Sequence, residues 1–350
     1  MISADVEYWI NCIDSYEISD KAAGRPILIW GAYSKGSLLC DAFEKQGIWI
    51  NGYIDGHKGV TKYQGKDVYK PQDILPDKTY YIVIAIEGIR SEIKTLLNDN
   101  GYKKDGDYFY FSEHTPDISI SRIMGEYCDI YNNRFVYEGE GSIDVNIHCE
   151  GGDNTVIIGK NFNGDFGLTL KLSYGGSVTL GEEFISHGDV LVNASMGGRV
   201  VIGNNCSFMK DTHIEAEYCG NITIGNYVSC GERLFVLSGR LSKVSVGWDC
   251  MLSHDISILG TNSHSILDYD KKQNHALKTE RPINIENHVW LGKGVSILYG
   301  TEIGEGSVVG TQSLLKGVYP PQSIIAGNIA KVTRKNCTWD RRRDIEFEEL

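Results

Sequence analysis

The sequence has no CxxC pair, no long apolar run, no surplus of positive charge and, in its repeats, no helical period. Each absence removes a class. The nine cysteines, at 12, 40, 128, 149, 206, 219, 230, 250 and 337, are scattered, which argues against a zinc site or a disulfide framework. Cys206, Cys230 and Cys250 fall on apolar places of the repeats and read as small core residues. The apolar stretch Tyr80–Ile86 is far too short to cross a bilayer. Met1 to Trp9 shows neither the basic start nor the apolar centre of a signal peptide, so a cytoplasmic chain without a transmembrane segment is expected. A net charge of −12 disfavours nucleic acid and anionic membrane as partners. A coiled coil or helical solenoid would need periods of about 3.5–3.6 within each repeat, and none is found.

What the chain has instead is a fixed step. An aliphatic residue followed by glycine recurs every 22 positions: Ile158-Gly159, Leu180-Gly181, Ile202-Gly203, Ile224-Gly225 and Val246-Gly247. From Ile285 the step shortens to six, through Leu291, Ile297, Ile303, Val309 and Leu315. Small or β-branched residues fill the fifth place of each six: Val289, Val295, Thr301, Ser307, Ser313. Large and small side chains alternating this way fill a narrow prism, and three hexapeptides make one triangular coil of a β-helix. The 22-residue coils are expected to be the same object with four extra residues at one corner, where Gly175-Gly176, Gly197-Gly198 and Cys219-Gly220 recur. Corners of this kind account for the forty glycines without disorder.

With 350 residues the chain has room for two domains. Residues 1–113 alternate short apolar strands with helices, which predicts a Rossmann-like α/β domain with a parallel sheet. A linker helix is expected over 114–134, mainly Ile118–Tyr131. The β-helix is expected over 135–334 and a charged tail over 335–350. Gly31 and Gly36 hold the outer places of a GxGxxG turn, and Asp55 follows where an acidic side chain would take a ribose hydroxyl. Tyr33 stands where the middle glycine belongs and obstructs a pyrophosphate; the alternative is that the glycines only permit a tight turn. This domain resembles the N-terminal domain of nucleotide-sugar acyltransferases through Ile29-Trp-Gly-Ala-Tyr-Ser-Lys-Gly36 and Gly52-Tyr-Ile-Asp-Gly56. The resemblance implies a uridine nucleotide held by Gly31, Gly36 and Asp55, while Tyr33 and Ser34 depart from the family's glycine-rich turn.

Residues 260–282 break the register. The segment is polar, carries His264 and His275, and must leave the prism at a corner as a loop. Around it lie Leu259-Gly-Thr-Asn-Ser-His264-Ser, then Pro282-Ile-Asn-Ile-Glu-Asn-His-Val-Trp290-Leu-Gly-Lys-Gly, then Gly304 through Ala326-Gly-Asn-Ile-Ala-Lys331-Val-Thr-Arg334. These segments resemble the hexapeptide acyltransferases of the xenobiotic, maltose and galactoside acetyltransferase group, and most of all the polysaccharide O-acetyltransferases. The resemblance implies a left-handed β-helix, a homotrimer, and acetyl-CoA lying in the groove between neighbouring subunits. It implies His264 as catalytic base, Trp290 and Asn262 at the saccharide acceptor, and Gly292, Gly310, Thr311, Lys331 and Arg334 along the acetyl-CoA; His254 and Asp255, on an outward edge of the adjacent coil, are placed either to contact the acceptor or to orient His264. Gln312 is bulkier than the family's small residues, and Ile329 replaces a common proline. The stretch Leu234-Phe-Val-Leu-Ser-Gly-Arg-Leu does not match the small-sugar enzymes, so a simple galactoside or maltose acceptor is not expected.

The chemistry follows from the acceptor. A sugar hydroxyl is a poor nucleophile at neutral pH and needs a base as it attacks a thioester; imidazole, with an ordinary pKa near 6.5, supplies one. No covalent enzyme intermediate and no metal are required. The expected activity is acetyl transfer to a hydroxyl of a cell-surface polysaccharide or its precursor. The alternatives are N-acylation of a nucleotide-linked amino sugar and a non-catalytic trimeric scaffold. A zinc β-helix enzyme is discounted, because His187, His213 and His254 occupy different places within their hexapeptides.

Overall fold

The computed structural model describes residues 15–32, 35–56, 61–85, 90–104, 106–110, 117–129, 131–164, 167–240, 242–262, 267–270, 273–274, 281–342 and 344–345. The chain divides into two compact units, Met1–Pro116 and Asp117–Leu350. Among the described residues, no helix is long and apolar enough to cross a membrane.

In the first unit, α1 (Ser15–Ala22) precedes β1 (Ile27–Trp30), then α2 (Lys35–Lys45), β2 (Ile50–Ile54), β3 (Lys62–Tyr63), β4 (Lys66–Tyr69), β5 (Tyr81–Ile84), α3 (Arg90–Asp99) and β6 (Tyr108–Tyr110). The sheet order is β3-β4-β2-β1-β5-β6, parallel throughout except for the β3–β4 hairpin. The all-aliphatic and aromatic runs of β1 and β5 are buried along their length, as befits inner strands of a parallel sheet covered on both faces. Leu39, Ala42 and Phe43 of α2 are fully buried. The β3–β4 hairpin has no counterpart in the sequence reading. Its turn, Gln64-Gly65, takes positive φ at both places, a geometry that the Gln-Gly pair advertises only weakly.

The second unit is a three-sided parallel β-solenoid. Among its described residues the three sheets hold nine, ten and nine strands. Each coil runs from a second face (for example Ser177–Leu180) to a third face (Ile185–His187), then to a wide face (Val190–Ser195), and back to the second (Arg199–Ile202). Strands one coil apart pair in register at the 22-residue step, Val192 with Ile214 and Val200 with Ile222. The inward side chains form one continuous core along the axis. At about 1.5–3 kcal/mol for each large aliphatic side chain removed from water, this ladder dominates the stability of the unit.

The two inward places of the hexapeptide hold as expected. Ile285, Leu291, Ile297, Ile303, Val309 and Leu315 are buried, and so are Val289, Val295, Thr301, Ser307 and Ser313. The buried hydroxyls find backbone partners: Thr301 Oγ1 donates to the Leu298 carbonyl at 2.6 Å, and Ser313 Oγ accepts from the Gly327 N–H at 3.1 Å.

Three expectations need correction. The extra residues of the long coils do not sit only at a corner. They lengthen the wide-face strand to six residues (Val190–Ser195) against three in the short coils (Ser296–Leu298), which brings in a third inward side chain such as Ala194. The glycines of the aliphatic-glycine pairs are not there for a positive φ, either, whereas Gly175 and Gly197 at the other corner do take one, at 77° and 75°. At Gly203 a Cβ would stand 2.3 Å from Asn226 Oδ1 and 2.8 Å from the Asn226 nitrogen, so close stacking of coils excludes a side chain. The left-handed residues lie two places on and are not glycine: Glu183, Asn205, Tyr227, Asp249 and His288.

The third correction concerns 118–131, where a linker helix was expected. The chain forms strands Asp117–Ile123 and Glu126–Cys128 instead, antiparallel to the first wide-face strand and to Arg134–Tyr137. Ile118, Ser119, Ile120 and Ser121 alternate with period two, and the isoleucines pack on the end of the core. At the other end, Ala330–Lys335 turns back antiparallel on Ser323–Gly327. Both ends of the stack therefore carry reversed strands, which blunts edges that would otherwise recruit another chain.

The tail is likewise more ordered than a solvated run of charge. Lys335 belongs to the last strand, and residues after it strap the corner between the second and third faces. The Cys337 N–H donates to the Gln322 carbonyl (2.9 Å). Trp339 stacks on His288 with centroids 4.4 Å apart and donates from Nε1 to the His288 carbonyl at 2.8 Å. Arg341 pairs with Asp249 at 2.9 Å and reaches the Tyr227 carbonyl, four coil corners back from Gln322.

Candidate functional site

Five of the residues singled out in the sequence fall on one edge of the prism, the corner between the third and wide faces. His254 and Asp255 follow the third-face strand Met251–Leu252, Gly292 follows Trp290–Leu291, and Gly310 and Thr311 follow Val308–Val309. The column is narrow by construction. A Cβ at Gly292 would lie 2.7 Å from the Val309 carbonyl oxygen, and one at Gly310 would lie 3.1 Å from Ala326 Cβ. Ala326 pairs with Lys331 across the terminal hairpin, so an exposed lysine stands at the end of the small-residue column. Arg334 lies farther along the same strand, opposite Ile324. Gln312 lies across Gly294, where a Cβ would meet its amide at 2.2 Å; the bulk noted at this place covers one step of the column.

Electrostatics fix the upper part of this edge. Asp255, in the left-handed region with φ 64°, receives Arg233 on both oxygens, at 2.5 and 3.2 Å, and Lys293 at 3.6 Å. The hydrogen bonds from Arg233 hold its carboxyl below the usual range. Among the described residues its oxygens are thus committed to cations. His254 is exposed, and its Nδ1 accepts the Glu232 N–H at 3.1 Å, which leaves Nε2 as the proton-bearing nitrogen of the neutral ring.

Trp290 is on the third face, and its Nε1 donates to Ser253 Oγ at 3.2 Å, next to His254. Its other neighbour is Trp339 of the strap, 6.1 Å away at 49°. The loop leaves from a different corner, and Trp290 is bracketed by Ser253 and the strap. Sequence reasoning missed Trp339, because a lone tryptophan in a charged tail gives no period to read.

The insertion springs from the corner between the wide and second faces, after Ser257–Leu259 and before Ile283–Ile285. Both of its ends are pinned. The Gly260 N–H donates to the Leu237 carbonyl and the Gly260 carbonyl accepts from buried Ser242 Oγ at 2.9 Å; the Arg281 carbonyl accepts the Gly300 N–H at 3.2 Å. Inside it, Leu267–Asp268 and Gln273–Asn274 pair antiparallel. At its foot Asn262 Nδ2 donates to Tyr299 Oη at 3.3 Å. His264 and His275 lie outside the described residues, as do Tyr33 and Ser34. Asn262 and the third-to-wide column are thus on opposite edges of the wide face within one chain.

In the first unit, Gly31, Gly36 and Asp55 meet at the C-terminal ends of β1 and β2. Gly31 has φ 114°, a Cβ at Gly36 would strike the Gly31 carbonyl oxygen, and Asp55 Oδ2 accepts the Ala32 N–H at 3.4 Å. Asp55 is buried, not a solvated loop residue. The tight turn alone explains both glycines.

The core cysteines behave as small apolar residues. Burial pushes the Cys206 and Cys250 thiols up to about 11 and Cys230 well above its ordinary value, so none is a nucleophile. Among the described residues no cluster of His, Cys, Asp and Glu would hold a metal ion.

No family model matches the chain. A putative acetyltransferase of Schizosaccharomyces pombe is 37% identical over 92 residues, 26% of this chain and 43% of that one. A polysialic acid O-acetyltransferase of Escherichia coli O1:K1 is 32% identical over 104 residues, 30% of this chain and 33% of that one. The chain spans less than half the length of each of these two curated relatives. The crystal structure of a polySia-specific acetyltransferase superposes with a TM-score of 0.40 at 22% identity, covering 62% of this chain and 77% of that one. The likeness read from the hexapeptide segments is thus met by comparison: the chain is similar to acetyltransferases, one of them named for a polysaccharide substrate.

Proposed function

We propose that the chain is an acetyl-CoA-dependent O-acetyltransferase that modifies a sugar hydroxyl of a cell-surface polysaccharide or its precursor, working as a homotrimer in the cytoplasm. The observation that carries this reading is the third-to-wide column. Gly292, Gly310, Thr311 and Ala326 leave a slot along one edge of a rigid prism, Lys331 stands at its end, and Trp290 and His254 stand at its other end. A pantetheine arm needs such a slot, and the phosphates of the donor need a cation at one end. The relatives named for sugar O-acetylation favour the acceptor class.

In this reading the solenoid is left-handed. His264 takes the proton of the acceptor hydroxyl as its oxygen attacks the thioester carbonyl; the tetrahedral intermediate collapses, the C–S bond breaks, and the thiolate leaves with the proton returned to it. His254, exposed and with its proton on Nε2, is a donor placed to hold the acceptor or the oxyanion. Asn262 braces the foot of the loop through Tyr299. The test is free-thiol release from acetyl-CoA with polysaccharide fragments and with uridine-diphosphate amino sugars as acceptors. Loss of at least about 100-fold in turnover for His264→Ala is expected, as for removal of a general base. Unchanged turnover removes His264 from its role.

A second reading, N-acylation of a nucleotide-linked amino sugar, is favoured by one feature: Gly31, Gly36 and Asp55 converge at the carboxyl edge of a parallel sheet read as Rossmann-like, where such folds hold ligands. Turnover with the amino sugar alone would establish it.

A further inference from the structure

We infer that the acceptor is an acidic saccharide, recognised by a column of cations at the foot of the insertion; the inference rests on the O-acetyltransferase reading. The corner between the wide and second faces carries Arg240, Arg281 and Lys316, one after each of the wide-face strands Phe235–Ser238, Ser257–Leu259 and Leu314–Leu315 or their inserted continuation. All three are exposed. None has a carboxylate partner among the described residues. Two of them bracket Tyr299, with Lys316 Nζ 4.9 Å and Arg281 Cζ 6.0 Å from the ring centroid. Tyr299 in turn is held by Asn262 of the insertion.

The contrast with the next edge gives the column its meaning. On the third-to-wide corner, cations are neutralised by carboxylates one coil away: Lys210 by Glu232 at 3.8 Å, Arg233 and Lys293 by Asp255 at 2.5 and 3.6 Å. A chain of net charge −12 has carboxylates to spare, yet among the described residues none pairs with these three cations. Like charges stacked this closely repel one another, and an anion that joins them relieves that repulsion.

Its length selects the anion. Coils stack about 4.8 Å apart, so Arg240 to Lys316 spans roughly 14 Å along the axis. A single phosphate fills one step of such a column. A saccharide bearing one carboxylate or phosphodiester per sugar fills several, and its ring faces also suit a tyrosine flanked by cations. The column is not the acetyl-CoA column of the same chain, which lies on the other edge of the wide face.

The experiment uses the full chain and the triple variant Arg240→Gln/Arg281→Gln/Lys316→Gln, with the charge-keeping Arg240→Lys/Arg281→Lys/Lys316→Arg as control. Hexamers of sialic acid and of a uronic-acid glycan are compared with maltohexaose, both in direct binding titrations and in thiol-release turnover. Exposed charge pairs contribute about 2- to 5-fold each, so the triple variant is expected to weaken acidic-hexamer binding and raise its KM about 10- to 100-fold. The KM for acetyl-CoA should stay within about 2-fold, the control should keep binding, and the difference should fade in high salt. Wild type binding maltohexaose as well as the acidic hexamers overturns the inference, even if transfer occurs. A rise in the KM for acetyl-CoA with acceptor binding unchanged also overturns it, by assigning the cations to the donor's phosphates. Charge-dependent hexamer binding without any transfer leaves the column standing and removes the reaction instead.

Discussion

Trp339→Ala is expected to release the C-terminal strap without unfolding the solenoid. The indole is buried against His288, stacked at 8° and hydrogen-bonded to the His288 carbonyl, with the Arg341 guanidinium 5.5 Å from its centroid. Removing it forfeits burial and stacking together worth about 3–5 kcal/mol, and a hydrogen bond worth about 1 kcal/mol. Against this stands the cost of ordering residues 336–342, about 1–2 kcal/mol each for the backbone alone. The docked strap is therefore a small difference between larger quantities, and the loss of the indole is enough to reverse its sign. The contacts of Arg341 with Asp249 and the Tyr227 carbonyl would go with it.

The assay is limited trypsin digestion followed by mass measurement, read beside a thermal melt. Cleavage after Arg341 or Lys335 should quicken at least about 100-fold, the factor that corresponds to roughly 3 kcal/mol of local opening. The midpoint of the melt should fall by no more than a few degrees, since the stacked coils are untouched. Two results would refute the reasoning. Unchanged cleavage would mean that the indole does not hold the strap. A fall of the whole melt by more than about 10 °C would mean that the strap is part of the cooperative core, not a latch upon it.

Gly203→Ala is expected to cost about 2–4 kcal/mol in denaturant unfolding, because its Cβ would displace Asn226, whose Oδ1 accepts the Asn204 N–H at 2.8 Å. Gly56→Ala, where nothing among the described residues lies within 4 Å, should stay within about 0.5 kcal/mol. Glu217 is a pH probe. Burial, then the charge of Glu215, pushes its carboxyl up to about 7, so between about 4.5 and 7 the folded chain binds the proton that the unfolded chain releases. Stability should fall as pH rises through that window, and Glu217→Gln should regain about 1–2 kcal/mol at pH 8 while changing little at pH 4. A melt series showing the same difference at both pH values would reject this.

How much of this was legible depended on periodicity. A six-residue step with two inward places is a geometric statement, and Ile285 to Leu315 obeyed it residue by residue. The step of 22 gave the coil length but not which side of the triangle was longer, since inward Ala194 and Ala216 look like corner residues when only the aliphatic-glycine pairs are counted. Ile118-Ser-Ile-Ser was legible as a strand by its alternation; expecting a link between domains led to a helix instead. The alignment of His254, Gly292, Gly310 and Thr311 on one edge followed from the step. Their partners did not: Arg233, Trp339 and Asn262 meet Asp255, His288 and Tyr299 across distances of 22 to 51 positions set by coil stacking and by the strap. The cations of the wide-to-second corner were invisible for the same reason, because Arg240 and Arg281 are separated by the insertion and only the fold returns them to one column.

The separation of the two columns makes one last prediction. From Asp255 to Gly260 the chain crosses the wide face, about 16 Å at 3.3 Å per residue. His264 lies four residues beyond Gly260, a reach of about 13 Å at full stretch. For His264 to serve the column of its own chain, that segment would have to lie fully extended and flat across the wide face. A second copy whose third-to-wide corner meets this chain's insertion needs no such conformation, so the working site is expected between copies. Two variants separate these arrangements: His264→Ala, which removes the base, and Gly310→Trp, which blocks the slot beside Ala326. Each alone should be inactive. Co-expressed in equal amounts with different tags, and assuming random assembly, an intersubunit site pairs an intact base from one copy with an intact slot from the next in about one quarter of cases. That quarter is the average over all trimers; every doubly tagged trimer has one productive interface of three, so activity at about a third of wild type in doubly tagged assemblies is the expected outcome. Activity at background in those assemblies, with both variants folded and associated, would place base and slot in a single chain.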